Sequence, residues 1–216
     1  MKNFLFLIFL FSYSLLAGTR EYIVGDGSEF KFLGEKGENI KLSIYFTESS
    51  FSKLGVEYFF STDGLLGVEV WQQYILGITD KGMSLDEGYV QSSDMRKPEI
   101  MTKEFRENNE GGVKVEDFFF TKEAEIEKLK IGMETIEVPA GTILSAHYQK
   151  KRSEQVVDFW ISDKAGAIGL VKLESKGSKN QNYKIELLSL LKNVKAKIVP
   201  KNAVALSEKG KMFLGK

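Results

Sequence analysis

His147, Asp158, Trp160 and Asp163 are the residues whose types and spacing invite a chemical reading. A histidine beside a carboxylate is the material of general acid–base catalysis, and two carboxyls around an aromatic ring are the material of a glycosidase. Each reading meets an obstacle. His147 is the chain's one histidine, which excludes a histidine-rich metal site and a relay through a second imidazole. A Ser-His-Asp triad is formally available, but no Gly-x-Ser-x-Gly elbow accompanies it. Glycosidase chemistry needs its carboxyls about 5 to 10 Å apart in a cleft. Asp163 stands in Asp-Lys-Ala-Gly, where it serves a turn, and Asp158 is expected to face solvent or pair with a strand neighbour such as Lys172. The expectation is therefore a strand histidine at the rim of a sheet and no catalytic residue.

Other chemistries are excluded by absence. There is no cysteine, hence no disulfide, thiolate metal site, iron–sulfur cluster or cysteine nucleophile. The acidic loops around Asp80, Asp86 and Glu110 match no calcium-loop spacing, and neither a phosphate-binding loop nor a dinucleotide fingerprint is present. No metal and no cofactor is expected.

The elements that would position these residues read as strands. Sixteen Phe and eight Tyr against three Pro in 216 residues favour β structure over disorder. Ile131 to Ser175 reads as a β-meander: Glu134–Val138, a Pro139-Ala140-Gly141 turn, Thr142–Gln149, a basic tip at Lys150–Glu154, Val156–Ile161, a turn at Asp163–Gly166 and Ile168–Ser175. Upstream, Ile40, Leu42, Ile44 and Phe46 alternate with Lys41, Ser43 and Tyr45, the pattern of a half-buried strand. Glu21–Val24 is a short strand candidate followed by a turn at Gly25–Ser28. Leu54–Phe60 and Leu65–Ile75 form a hairpin around Asp63-Gly64. Asp80–Gly82 and Asp86–Gly88 read as turns, and Val113–Phe120 as strand. Thr121–Lys130 reads as helix, or as strand from Glu127 onward, and Tyr183–Leu187 as the last strand, continued by Leu188–Val194.

In the meander the second face carries Ile143, His147, Val156 and Trp160, so neither face is simply wet. A sheet of this kind is covered on one side and sheltered on the other. Trp71, Tyr148, Val156, Phe159 and Trp160 are the candidates for lining or rimming an apolar groove, although period-2 alternation does not choose its face.

The two ends differ from the body. Lys2, the apolar run Phe4–Phe11 and the small residues up to Gly18 match a signal peptide, too short for a spanning helix. Thr19 stands where a lipoprotein would carry its lipidated Cys, so the expectation is export to the periplasm or cell envelope without a lipid anchor; an uncleaved signal-anchor is the alternative. From Lys192 to Lys216 there are seven Lys against Glu208 alone, whereas Thr19 to Leu191 holds 22 basic and 29 acidic residues. The organisation read from this is a signal peptide over 1–18, one antiparallel β domain over 19–191 and a basic extension over 192–216. That extension either packs in part against the acidic body or contacts a partner or anionic membrane through Lys201, Lys209 and Lys211. Few aromatics interleave its lysines, which argues against nucleic acid.

The sequence from Val138-Pro139-Ala140-Gly141-Thr142 through His147-Tyr148, Asp158–Asp163 and Gly169–Lys172 resembles exported bacterial proteins of the LolA-like half-barrel superfamily, over about residues 131–175. The resemblance implies a mainly β fold, a curved antiparallel sheet or half-barrel with one or a few short helices. It also implies an apolar concave surface suited to a lipid or lipoprotein-derived ligand. The two functional expectations are thus a non-catalytic binding protein for such a ligand, and an envelope protein that docks a partner through a sheet edge or its basic tail.

Overall fold

The structure is a computed structural model that describes residues 22–37, 39–62, 67–79, 82–104, 126–152, 154–178 and 182–214. Eleven strands run in chain order before the C-terminal segment: β1 (Gly27–Gly34), β2 (Asn39–Ser49), β3 (Lys53–Thr62), β4 (Glu69–Thr79), β5 (Gly82–Ser92), β6 (Glu99–Ile100), β7 (Lys130–Val138), β8 (Gly141–Arg152), β9 (Gln155–Ile161), β10 (Leu170–Lys176) and β11 (Tyr183–Leu191). A two-residue strand, β12 (Val204–Ala205), and one short helix, α1 (Glu208–Phe213), follow. All twelve strands of the described residues belong to one sheet of order β12-β6-β5-β4-β3-β2-β1-β11-β10-β9-β8-β7. The fold is mainly β, a curved sheet that is antiparallel except for the β12/β6 pair.

This order follows from two meanders, β1 to β6 and β7 to β11, joined where β11 returns beside β1. Local turns pair the strands within each meander, so only the β1/β11 seam and the β12/β6 pair need the chain to close a long loop. Paired residues share a face, and the register defines two. The inner face carries Phe30, Leu42, Phe60 and Val70 in one row and Ile44, Tyr58 and Gln72 in the next, continued through Ile185, Leu173, Phe159 and Tyr148 on the second meander. The apolar side chains among these, with Met101, Ala165, Ile168 and Leu214, form one buried cluster.

β2 spans Ile40–Phe46 as expected, but its second face is not wet, since Ser43 and Tyr45 are buried, and β11 stops at Leu191, short of the expected end at Val194. Other expectations are corrected. Tyr22 and Ile23 have no regular structure and Val24-Gly25 form a turn, so no strand lies there, and Gly27-Ser28 already belong to β1. Asp86-Glu87-Gly88 is not a turn but the middle of β5, where Gly88 lets Met101 approach: a Cβ there would lie 2.9 Å from its Sδ. Ile126 and Glu127 are helical, Lys128-Leu129 form a turn and strand begins only at Lys130, so the strand alternative from Glu127 is corrected by three residues. Residues 121–125 and the strand expected at 113–120 lie outside the described residues.

The sheet curls at its second end. Ala140 N–H donates to Leu187 O at 3.1 Å, bringing β7 back towards β10 and β11. Along this hairpin burial changes sides. Ile136, Val138, Ile143 and Ser145 are buried, while Ile131, Met133, Thr135 and Leu144, of the opposite parity, are exposed. Strand twist accumulated over the sheet turns one face into the other relative to the core.

Candidate functional site

The His147 neighbourhood is built by four adjacent strands of the outer face. Register places His147 of β8 beside Trp160 of β9 and Gly132 of β7, and Lys172 of β10 beyond Trp160. The imidazole stacks on the Trp160 ring with centroids 4.5 Å apart. Its Nδ1 lies 2.5 Å from Glu134 Oε1, and its Nε2 lies 2.8 Å from Asp158 Oδ1. Trp160 Nε1–H donates to Glu134 Oε1 at 2.8 Å, Gln149 Nε2–H to Asp158 Oδ1 at 2.9 Å, and Lys172 Nζ stands 4.9 Å from the indole centroid. Both ring nitrogens face carboxylates that also hold other donors, so neither is left open to a substrate. The expected partner of Asp158 is corrected: it pairs with His147 and Gln149, whereas Lys172 pairs with Glu174 at 2.7 Å. Burial works against the charge on Glu174, but the hydrogen bond and charge of Lys172, with Lys176 and Lys184, hold its carboxyl below the usual range. Asp163 opens a 3₁₀ turn, Asp163–Ala165, as its turn role requires. Among the described residues no cluster of three or more His, Cys, Asp or Glu is arranged to hold a metal ion.

The five groove candidates do not line one surface. Tyr148 and Phe159 are cross-strand partners on the inner face, stacked at 5.2 Å, and the Tyr148 hydroxyl donates to Glu127 Oε1 at 3.0 Å. That bond and the one from Lys130 hold the exposed Glu127 carboxyl low, the Lys130 bond being the stronger influence. Trp160 and Val156 are on the outer face of β9, Trp160 buried and Val156 half-buried. Trp71 lies far along the same outer face, stacked on Phe59 at 5.0 Å. Strand alternation separates these residues by parity, which their aromatic character did not reveal.

A second polar constellation, absent from the sequence reading, lies near Trp71. Tyr45, Glu57, Gln73 and Tyr89 form one cross-strand row on the outer face of β2 to β5. Glu57 is 0% exposed. Its Oε1 accepts from Tyr45 O–H at 2.5 Å and Lys197 N–H at 2.8 Å; its Oε2 accepts from Gln73 Nε2–H at 3.1 Å and Ile198 N–H at 3.0 Å. Burial pushes the Glu57 carboxyl above its ordinary range and outweighs the lowering effect of these four bonds. Burial and the neighbouring carboxylate likewise push the Tyr45 hydroxyl up. The sequence signal was faint: a Glu in the strand Leu54-Gly55-Val56-Glu57-Tyr58 reads as solvated.

Two of this carboxylate's donors belong to the C-terminal segment, which crosses the outer face. Ile198 packs with Ile75 and Tyr89, beside Trp71 and Ala203, and Lys197 Nζ lies 5.2 Å from the Trp71 ring centroid. Further on, Ser207 N–H donates to Glu99 Oε2 at 2.7 Å and Gln72 Nε2–H to Phe213 O at 3.2 Å. Of the expected contact lysines, Lys209 pairs with Asp94, whose exposed carboxyl is held low chiefly by that bond. Lys211 pairs with Glu208 at 2.5 Å, and Lys201 is exposed on a 3₁₀ turn, Pro200–Asn202.

No protein-family description matches the chain, and no curated protein matches it. Among solved structures it is similar to CT021, a hypothetical protein from Chlamydia trachomatis, at 9% identity and a TM-score of 0.46, over 87% of this chain and 95% of that one. It is also similar to a de novo designed fluorescence-activating β-barrel, at 13% identity and a TM-score of 0.22, over 77% of this chain and 92% of that one.

Proposed function

We propose that this chain is an exported, non-catalytic envelope protein that docks an extended segment of a partner protein on the edge strand β7. The observation that carries this reading is the state of that edge. β7 ends the sheet and has no strand neighbour beyond it among the described residues. Ile131, Met133 and, on β8, Leu144 stand 60%, 58% and 53% exposed on one face beside it. The usual protection of an edge is a charge that repels a newcomer. Here Glu134 is engaged by His147 and Trp160, and Lys130 by Glu127 at 3.2 Å, which leaves the exposed Glu137, next to the turn, as the remaining charge of the strand. A partner strand would gain main-chain hydrogen bonds from the edge and selectivity from the exposed apolar residues. The apolar run at Phe4–Phe11 supports export.

The hairpin supplies a clean test. Val138 pairs with Gly141 across the two-residue turn, so Val138, Ile136 and Glu134 point their backbone groups towards β8 and Thr135 points its own outward. Thr135→Pro therefore removes an edge donor and leaves the β7/β8 ladder intact. With a photo-crosslinker at Met133, partner adducts are expected from the wild-type protein in envelope preparations and not from Thr135→Pro at unchanged melting temperature. Equal adducts from both would overturn the proposal.

A second reading, an apolar cargo on the concave face, is favoured by the continuity of the inner cluster from Phe30 to Tyr148. The inner side chains Phe30, Phe46, Tyr58 and Phe60 are already fully packed there, so a lipid would have to displace them. Native mass spectrometry of the purified protein after lipid extraction separates the two: a stoichiometric lipid supports cargo, and its absence supports edge docking.

A further inference from the structure

The outer face of β2 to β5 is covered by the chain itself. From Val194 to Leu206 the polypeptide crosses this face as a strap, largely without regular structure. Its start is pinned where Val194 N–H donates to Gly25 O at 2.9 Å, next to Asn193 at φ 55, a backbone conformation uncommon outside glycine. Its end is pinned where Val204 N–H donates to Pro98 O at 2.9 Å and β12 joins β6. Between Lys195 and Ala203, the hydrogen bonds that join strap to sheet among the described residues both end on the Glu57 carboxylate. Lys195, Ala196, Lys197, Val199, Pro200, Lys201 and Asn202 are all exposed, and Ile198 alone is fully buried.

Those contacts amount to a recognition code. Two successive N–H groups converging on one anion form a backbone motif that any non-proline segment can present. A basic side chain over Trp71 and an aliphatic side chain against Ile75 and Tyr89 supply the selectivity. Burying a carboxylate is costly unless its lone pairs are filled, and Tyr45 and Gln73 supply only half of the four donors found. Without the strap, Glu57 would lose two donors and the apolar faces of Trp71, Ile75 and Tyr89 would meet water.

We infer that this face is a peptide-binding site occupied in cis, and that in trans it takes a partner segment in which a basic residue precedes an aliphatic one. The strap holds the site by tethering, because a short linker sets an effective concentration on the order of millimolar. A free peptide of the same chemistry competes only when the strap is weakened. This site is separate from the β7 edge and stands whether or not that edge docks a partner.

The test uses the full chain and a fluorescent synthetic peptide with the sequence of Val194–Leu206, followed by anisotropy. The wild-type protein binds it weakly. Ile198→Asp in the protein loosens the strap and is expected to raise peptide affinity at least tenfold. Lys197→Pro, which deletes one N–H donor to Glu57 and spares Ile198, is expected to act in the same direction. Adding Trp71→Ala to either variant removes the gain, and a peptide carrying Asp at the Ile198 position does not bind. Unchanged affinity in both strap variants, with native near-ultraviolet circular dichroism, overturns the inference. Unfolding of both variants overturns it too, since the strap would then be an inseparable part of the fold.

Discussion

Truncating Ile198 to alanine probes the strap where its packing is concentrated. The side chain is 1% exposed and meets Ile75 and Tyr89, with Trp71 and Ala203 alongside. Ile→Ala removes three carbons, worth about 2.4 kcal/mol at roughly 0.8 kcal/mol per buried methylene. A rigid site would add a cavity penalty, as core Ile→Ala losses run from about 2 to 5 kcal/mol. Here the wall above the cavity is a strap whose flanking residues Lys197 and Val199 are exposed, so it can settle inward. The expected loss is therefore about 2–3 kcal/mol. Urea denaturation followed by tryptophan fluorescence reads this out directly, because Trp71 borders the site. At an m-value of about 2 kcal/mol per molar, the midpoint falls by about 1–1.5 M with the slope unchanged. A loss below about 0.5 kcal/mol would refute the claim that Ile198 anchors the strap.

Three further outcomes follow from the same structure. Because burial raises the folded-state pKa of Glu57, its contribution to stability is complete below the unfolded value and is lost as pH rises through the folded one. Relative to Glu57→Gln, which is neutral throughout, wild-type stability in urea is expected to decline as pH rises from the unfolded value through the raised folded one, by about 1.4 kcal/mol per unit of pKa displacement. A wild type that gains on the variant over that range would mean that the four donors outweigh burial. His147→Ala removes the contacts to Glu134 and Asp158 and is expected to cost about 1–2 kcal/mol in thermal or chemical melts; no loss would show the cluster to be energetically idle. Gly27→Ala places a Cβ 2.1 Å from Ile44 O in the β1/β2 ladder, and such overpacking is expected to cost about 1–3 kcal/mol or more, read from the melting temperature.

Much of the fold was legible locally. The alternation at Ile40–Phe46 specifies β2 because Ile40, Leu42, Ile44 and Phe46 share the face that meets the core, while the burial of Ser43 and Tyr45 on the other face is not legible in it. Val138-Pro139-Ala140-Gly141 specifies the β7/β8 hairpin because Pro presets φ and Gly141 adopts φ 119. Asp86-Glu87-Gly88 misleads because its composition is that of a turn, while its role depends on Met101, thirteen residues beyond Gly88. The candidate aromatics were correctly placed on strands, but only register shows that Tyr148 meets Phe159 on one face and Trp160 meets His147 on the other.

By itself, then, the amino-acid sequence determined the class of fold, the main strands and the exclusion of cysteine chemistry, all of which depend on residue type and short-range periodicity. The tertiary structure decided what shelters each face. Periodicity records that a side chain is withdrawn from water and is silent on what covers it. Glu57 is kept buried by backbone groups 140 and 141 residues away, and Trp71 is covered by Lys197 of the same distant segment. Those partners come together only because β11 returns to the middle of the sheet and sends the end of the chain back across it.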